Sequence, residues 1–105
     1  MFTINGITWQ VKMVPPRHWM LQRPNGSYTI GSCDNTTKTV YVNNMLNTHL
    51  LQKVLCHEIT HAAMFSYNIL LTADQEELLA DLIATYGSEI IEVTDRVFRK
   101  LAGRA

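Results

Sequence analysis

The sequence predicts an α+β fold in a single domain over residues 1–105. Two observations support this prediction: strand-forming residues and turn signals fill residues 1–42, and two segments with helical spacing of apolar residues follow. The expected architecture is a small antiparallel sheet of N-terminal β-hairpins, packed against one helix and a long C-terminal helix. A chain of 105 residues that is 47% hydrophobic and 17% charged can bury its own core.

The strands are predicted as two hairpins. The first lies in "FTINGITWQVKMV", where Asn5-Gly6 separates two β-rich runs. The second pairs "SYTIGSC" with "TKTVYV" through a loop over residues 34–37. Between the hairpins, three prolines and Gly26 predict a turn-rich segment with a short helical turn.

Capping residues mark where the helices begin. Asn47 or Thr48 is expected to cap a helix that runs to about residue 65. Thr72 and Gln75 fit a capping box at the start of the next helix. The apolar stripe of that second helix continues through Gly87, which predicts one long helix with a bend at the glycine.

The first helix carries the motif H-E-x-x-H at residues 57–61. Residues four apart lie on one helical face, so His57 and His61 can direct two imidazoles at one ion. Zinc accepts such nitrogen ligands, and it keeps a position for water when three protein ligands bind. Glu58 lies about 100° around the helix from His57, in the general-base position of this motif. The apolar neighbours of Glu58 on the helix predict that the pKa of its carboxyl group is raised. The alternative is an ordinary helix that carries two histidines.

The third ligand is sought among the carboxylates of the second helix, because no histidine follows His61. Glu77 shares its helical face with a stripe of small residues, which lets another helix approach closely. Asp81, one turn further on, could orient a ligand histidine or replace Glu77 as the ligand. Glu76 and Asp74 are expected to be solvated residues of an acidic helix N-terminus. The small residues are Ala73, Ala80, Ala84 and Gly87.

His49 and the cysteines are expected to lie outside the metal site. His49 precedes His57 by two turns, which is too far along the axis for both to bind one ion. His18, in the proline-flanked segment, is an upstream candidate. Cys33 and Cys56 are expected to be reduced thiols, with Cys56 buried.

Aromatic residues are expected mainly in the core. Two tyrosines have an alternative role, since a phenol can donate a hydrogen bond to a tetrahedral oxyanion. The tyrosines are Tyr67 and Tyr86, and the other aromatic residues assigned to the core are Trp9, Trp19 and Phe98.

The balance of charges and the lack of a long apolar run indicate which partners and which location to expect. Lys plus Arg and Asp plus Glu number 9 each, so no net charge attracts this chain to nucleic acid or to an anionic membrane. No apolar run approaches the roughly 18 residues of a membrane span, and the N-terminal residues do not resemble a signal peptide. A cytoplasmic location is therefore expected, and the oligomeric state is left open.

The segments "HEITHA" and "EELLADLIATYG" resemble the ImmA/IrrE-type metallopeptidases and the small phage-encoded minimal zincins. The resemblance covers about residues 28–90. The family pattern E-x-x-A-N/D-x-x-A falls on Glu77, Ala80, Asp81 and Ala84, and its glutamate is the third metal ligand. The family usually has glycine where this chain has Thr60, and its larger members add a helix-turn-helix that this sequence does not contain.

The resemblance implies a zinc metalloendopeptidase that hydrolyses a peptide or protein substrate. It implies one Zn²⁺ per chain, held by His57, His61 and Glu77, with Glu58 as the general base. It also suggests that an edge strand of the sheet binds the substrate as an added strand. The alternatives are a catalytically silent zincin-like protein-binding module, such as a phage-encoded regulator, and a structural zinc site.

Overall fold

The computed structural model describes residues 1–103, so the last two positions of the predicted domain lie outside the described residues. The strands are β1 (Phe2–Ile4), β2 (Ile7–Val14), β3 (Gly31–Asp34) and β4 (Thr39–Asn43), and the helices are α1 (Thr48–Ser66), α2 (Ala73–Leu82) and α3 (Ser88–Ala102). A 3-10 turn covers Trp19–Leu21, and a π-helical turn at Ile83–Gly87 joins α2 to α3 as one helix of 30 residues. The predicted α+β fold class is confirmed.

The sheet is mixed, which corrects the prediction that it is antiparallel throughout. Its strand order is β1-β2-β4-β3. Both predicted hairpins are present as antiparallel pairs, but β2 lies parallel to β4, with Val11 opposite Val40. The parallel pair arises because residues 15–30 carry the chain past the position of β4 to the outer edge of the sheet. There β3 begins at the end of the sheet at which β2 stops, and β4 then returns between the two strands. No short-range sequence pattern predicts a pairing between strands this far apart in the chain.

Turn residues explain both hairpins. Asn5 and Gly6 both have positive φ angles, 50° and 75°, as a tight type I′ hairpin turn requires. In the second hairpin, Asp34 accepts hydrogen bonds from the backbone N–H of Thr36 and the hydroxyl of Thr37. Strand β3 is shorter than predicted and begins at Gly31.

The predicted caps are present at both helix starts. The Asn47 side chain accepts a hydrogen bond from the backbone N–H of Leu50. Thr72 and Gln75 exchange both bonds of the capping box. At Gly87 the long helix remains continuous and passes through the π-helical turn. No helix within residues 1–103 is both long and apolar enough to cross a membrane.

The core joins the sheet to α1. Trp9 is fully buried, stacks on Phe2 and Phe65, and donates its indole N–H to the hydroxyl of Ser66 at 2.9 Å. This bond ties β2 to the C-terminal end of α1. A second cluster packs the buried side chains of β4 against α1, and its members are Val40, Val42 and Val54. The helix that carries the motif is thereby fixed on the sheet.

Four other aromatic residues were predicted in the core, and that prediction is wrong. Trp19 lies in the 3-10 turn at the surface, and Tyr67 follows the end of α1. Tyr86 lies in the π-helical turn and Phe98 on α3, beyond the reach of the sheet. All four side chains are exposed. Tertiary packing leaves each of them without a covering element within the described residues.

Candidate metal centre

Helices α1 and α2 bring together the three predicted metal ligands. His57 and His61 project from α1 and Glu77 from α2, and one ligand atom from each lies within 4.8 Å of the other two. The helices can approach closely because Ala80 is buried where they meet. Of the other small residues in the predicted stripe, Ala84 and Gly87 are partly buried and Ala73 is exposed, so only part of the stripe packs as expected. Glu77 reaches the site beside Ala80.

The distances among these three side chains fit one small cation. The Nε2 atoms of His57 and His61 are 3.2 Å apart. The Glu77 oxygens lie 3.2 Å from Nε2 of His57 and 2.9 Å from Nε2 of His61. Two nitrogens bound at about 2.05 Å in a tetrahedral arrangement are about 3.3 Å apart. The spacing therefore needs little adjustment to hold zinc.

A carboxylate lies against the other nitrogen of each histidine. Nδ1 of His57 is 2.9 Å from Oδ1 of Asp81, and Nδ1 of His61 is 2.6 Å from Oε1 of Glu76. A proton on each Nδ1 can be donated to these carboxylates, and the two Nε2 atoms then present lone pairs. Two lone pairs and the Glu77 carboxylate are all acceptors. In this tautomer, a cation would be held by all three groups.

The position of Glu76 corrects the expectation that it is solvated. Only 20% of its side chain is exposed, because it fits against the buried ring of His61. Adjacent residues lie about 100° apart around a helix, so Glu76 would face solvent if Glu77 pointed straight at α1. The crossing of α2 over α1 instead puts His61 between the two carboxylates. Asp81 is 69% exposed and contacts the His57 ring on the side away from Glu77, which is the orienting position.

Glu58 is buried in the floor of the site, with 7% of its surface exposed. Burial raises the pKa of its carboxyl group above the ordinary value of 4.5, and the negative charge of Glu77 adds to that increase. Positive charge on His57 or His61 opposes it. The raised pKa predicted from the apolar neighbours on the helix is found, with desolvation as its main cause.

Gly31 is a site residue that the sequence analysis missed. A Cβ atom built at this position would lie 2.7 Å from Cγ1 of Val54 and 3.0 Å from Oε2 of Glu58. Strand β3 therefore lies so close to α1 that a side chain at residue 31 would have to displace Val54 or Glu58. The available signal was a glycine within a predicted strand, which often marks a close backbone approach.

A cleft of about 930 Å³ opens over these groups. One wall is β3 with the residues before it, and the other walls are α1 and α2. The cleft contains His57, Glu58, His61 and Glu77 together, and Arg23 and Lys53 add two basic groups to its lining. An open cleft with convergent polar groups is typical of a ligand-binding site.

The other candidates lie elsewhere. His18 accepts a hydrogen bond from the backbone N–H of Met20 and stacks on Tyr41. His49 is exposed in the first turn of α1. Neither belongs to the three-residue metal group. Cys56 is partly buried rather than fully buried, and both cysteines are free thiols.

The chain matches no protein-family model, no curated protein and no solved structure. The resemblance to ImmA/IrrE-type metallopeptidases therefore stays a prediction that depends on its sequence motifs. The class that the fold and site define is an α+β protein with a two-histidine, one-glutamate cluster in an open cleft. The function has to be proposed from that cluster.

Proposed function

We propose that this chain is a zinc-dependent peptidase whose metal ligands are His57, His61 and Glu77. The observation that carries the proposal is the convergence of the two Nε2 atoms and the Glu77 carboxylate within hydrogen-bonding distances. Three ligands of this kind leave a fourth position open, as catalytic zinc sites do, whereas structural sites are closed by four ligands. No fourth ligand joins the group among residues 1–103.

Glu58 is the proposed general base. A bound zinc ion would polarise a substrate carbonyl and bring the pKa of a water molecule down to about 7. Glu58 is next to His57 in sequence and lines the same cleft, so its carboxylate can accept a proton from that water and deliver it to the leaving amine. Its raised pKa brings the carboxyl group closer to the range in which it can do both at neutral pH.

Strand β3 is the proposed binding edge for an extended peptide. It lies at the edge of the sheet and lines the cleft beside Glu58. The backbone N–H of Asn43 donates to the carbonyl of Ile30, so antiparallel alternation turns the N–H and C=O groups of Gly31 and Cys33 away from β4. A substrate strand could pair with these free groups.

The experiment is hydrolysis of a mixed pool of unstructured peptides by the zinc-loaded chain, with cleavage sites read by mass spectrometry. Glu58→Gln should keep the metal and lose activity by about a thousandfold, because a positioned base contributes roughly 10²–10⁴-fold. Asp74→Asn, an exposed change in the first turn of α2, is the matched control and should leave the rate unchanged. Retained activity in Glu58→Gln would exclude the mechanism.

The second candidate is a zincin-like protein-binding module that hydrolyses nothing. It is favoured by the open cleft beside an edge strand, which could hold a peptide in either case. A zinc-loaded wild-type chain that cleaves no peptide, yet binds one in a way that substitutions along β3 disrupt, would support it over the peptidase.

A further inference from the structure

Helix α3 exposes an apolar face that no other element covers within the described residues. Every residue from 88 to 103 is exposed. Large apolar side chains that face solvent normally occur singly, and a contiguous group of them marks an interaction surface. The large apolar side chains of α3 are Ile90, Ile91, Val93, Val97, Phe98 and Leu101, each at least 43% exposed.

The helix projects from the rest of the molecule. The described chain measures 58 × 31 × 27 Å, and its radius of gyration is 16.0 Å, against about 13 Å for a compact domain of this length. Although α3 continues from α2 as one helix, its exposed side chains gain little stabilisation from packing against the rest of the described chain. Burial of the apolar face by a partner would supply the missing stabilisation.

The charges of α3 indicate what that partner is. Its first half carries Glu89, Glu92 and Asp95, and its second half carries Arg96, Arg99 and Lys100. Two copies that lie antiparallel place each acidic half beside a basic half. The six charges sum to zero, so the polar face gives no attraction to an anionic membrane.

One heptad register describes the pairing in more detail. With Ile90 and Val97 at its a positions and Val93 at d, Glu89 and Arg96 fall at successive g positions. The next d position is Lys100, and Ile91 and Phe98 lie at b positions beside the seam. In an antiparallel pair, Ile90 packs opposite Val93 of the second copy, and g positions face each other. Glu89 then meets Arg96 of the second copy, twice by symmetry.

A parallel pair lacks this complementarity. There, g positions face the e positions of the other helix, which are Thr94 and Leu101 in this chain. Neither residue carries a charge, so Glu89 and Arg96 would have no oppositely charged partner on the other helix. We propose that α3 binds α3 of a second copy of this chain in an antiparallel arrangement. The proposal does not depend on the metal site or on peptidase activity.

The test is sedimentation equilibrium of the full chain at concentrations up to about 100 µM, in the range where weak self-association is measurable. Wild type should form dimers, and Val93→Asp should be monomeric. Glu89→Arg and Arg96→Glu should each weaken association by about tenfold, since each places like charges together at two symmetric contacts. The double variant Glu89→Arg with Arg96→Glu should restore it.

The exposed variants are not expected to disturb the domain, and circular dichroism checks that the helices remain. Ser88→Ala, an uncharged change at an exposed f position, is the control that should leave the dimer intact. Monomeric wild type at the highest concentration would overturn the proposal. The proposal would also be overturned if Val93→Asp still dimerised, or if neither single charge reversal weakened the association.

Discussion

Oε1 of Glu76 lies 2.6 Å from Nδ1 of His61, on the side of the ring away from the nitrogen that meets Glu77. The ring is thus held between two carboxylates that act on different nitrogen atoms. In the proposed site, Glu76 would set the tautomer and the orientation of the imidazole, and Glu77 would share the metal position with Nε2. Asp81 holds His57 in the same way.

We predict that Glu76→Gln lowers the zinc affinity without removing a ligand. A carboxylate behind a ligand histidine is worth about 10–100-fold in metal affinity, because it orients the ring and raises its basicity. Competition with a chromophoric chelator measures the change, and Asp74→Asn is the control on the same helix. An affinity equal to that of wild type would mean that Glu76 only fills space beside the ring.

Gly31→Ala should destabilise the fold. The added methyl group would meet Val54 at 2.7 Å, closer than side chains normally approach. We expect a loss of about 1–3 kcal/mol in the free energy of unfolding, as for other overpacked core sites. Chemical denaturation measures it. In a Val54→Ala background the same change should cost less, and an equal cost in both backgrounds would place the strain elsewhere.

Much of the fold follows from local sequence signals. The features that the sequence does not predict are the ones set by tertiary contacts. The Asn5-Gly6 turn and the Thr72 capping box are set by residues within four positions of each other, so the sequence predicts them. The parallel pairing of β2 with β4 joins distant segments and leaves no local pattern. The exposure of Trp19 and Phe98 likewise depends on which elements reach them.

The same distinction applies to the site. His57, Glu58 and His61 lie on one helix and are recognised by spacing alone. Glu77 is predicted from the small residues on its helical face, because such residues indicate that another helix packs closely there. Glu76 was missed because its partner depends on the angle at which α2 crosses α1, and this angle cannot be read from a helical wheel.

Glu58→Gln should stabilise the metal-free chain at neutral pH. Burial raises the pKa of Glu58 in the folded state above 4.5, the value expected in the unfolded chain. The unfolded chain therefore releases its proton first, and the free energy of unfolding falls as pH rises from below about 4.5 through the folded pKa. Glutamine does not titrate, so the free energy of unfolding of the variant does not fall in this way.

Urea denaturation in the presence of a chelator, from acid to neutral pH, measures the difference. The variant should be the more stable chain at neutral pH, and the gap should close on acidification below about 4.5. A variant that is less stable than wild type at neutral pH would mean that the buried carboxylate is stabilised by contacts that glutamine cannot replace.

Cys33 should react slowly with alkylating reagents. Burial, assisted by the negative charges of Glu58 and Asp34, raises the pKa of its thiol from 9.0 to about 12. Because the thiolate is the nucleophile, its fraction at about pH 8 falls by roughly a thousandfold for three pKa units. In a Cys56→Ser background, mass spectrometry of iodoacetamide labelling before and after unfolding measures the ratio.

Glu58→Gln should accelerate that labelling, because it removes a negative charge that disfavours the thiolate. Labelling that increases with pH well above neutrality is expected in both chains. A Cys33 thiol that reacts as fast in the folded chain as in the unfolded chain would contradict the burial that β3 and α1 impose on it.

The measurement that tests the central claim most directly is zinc stoichiometry by elemental analysis, on wild type and on Glu77→Ala purified in parallel. The proposed site predicts about one zinc per chain in wild type and a large loss in the variant, because a catalytic site has only three protein ligands. Zinc-free wild type, after purification without chelators and incubation with zinc, would contradict the claim. The H-E-x-x-H segment would then be a helix with two histidines held by carboxylates.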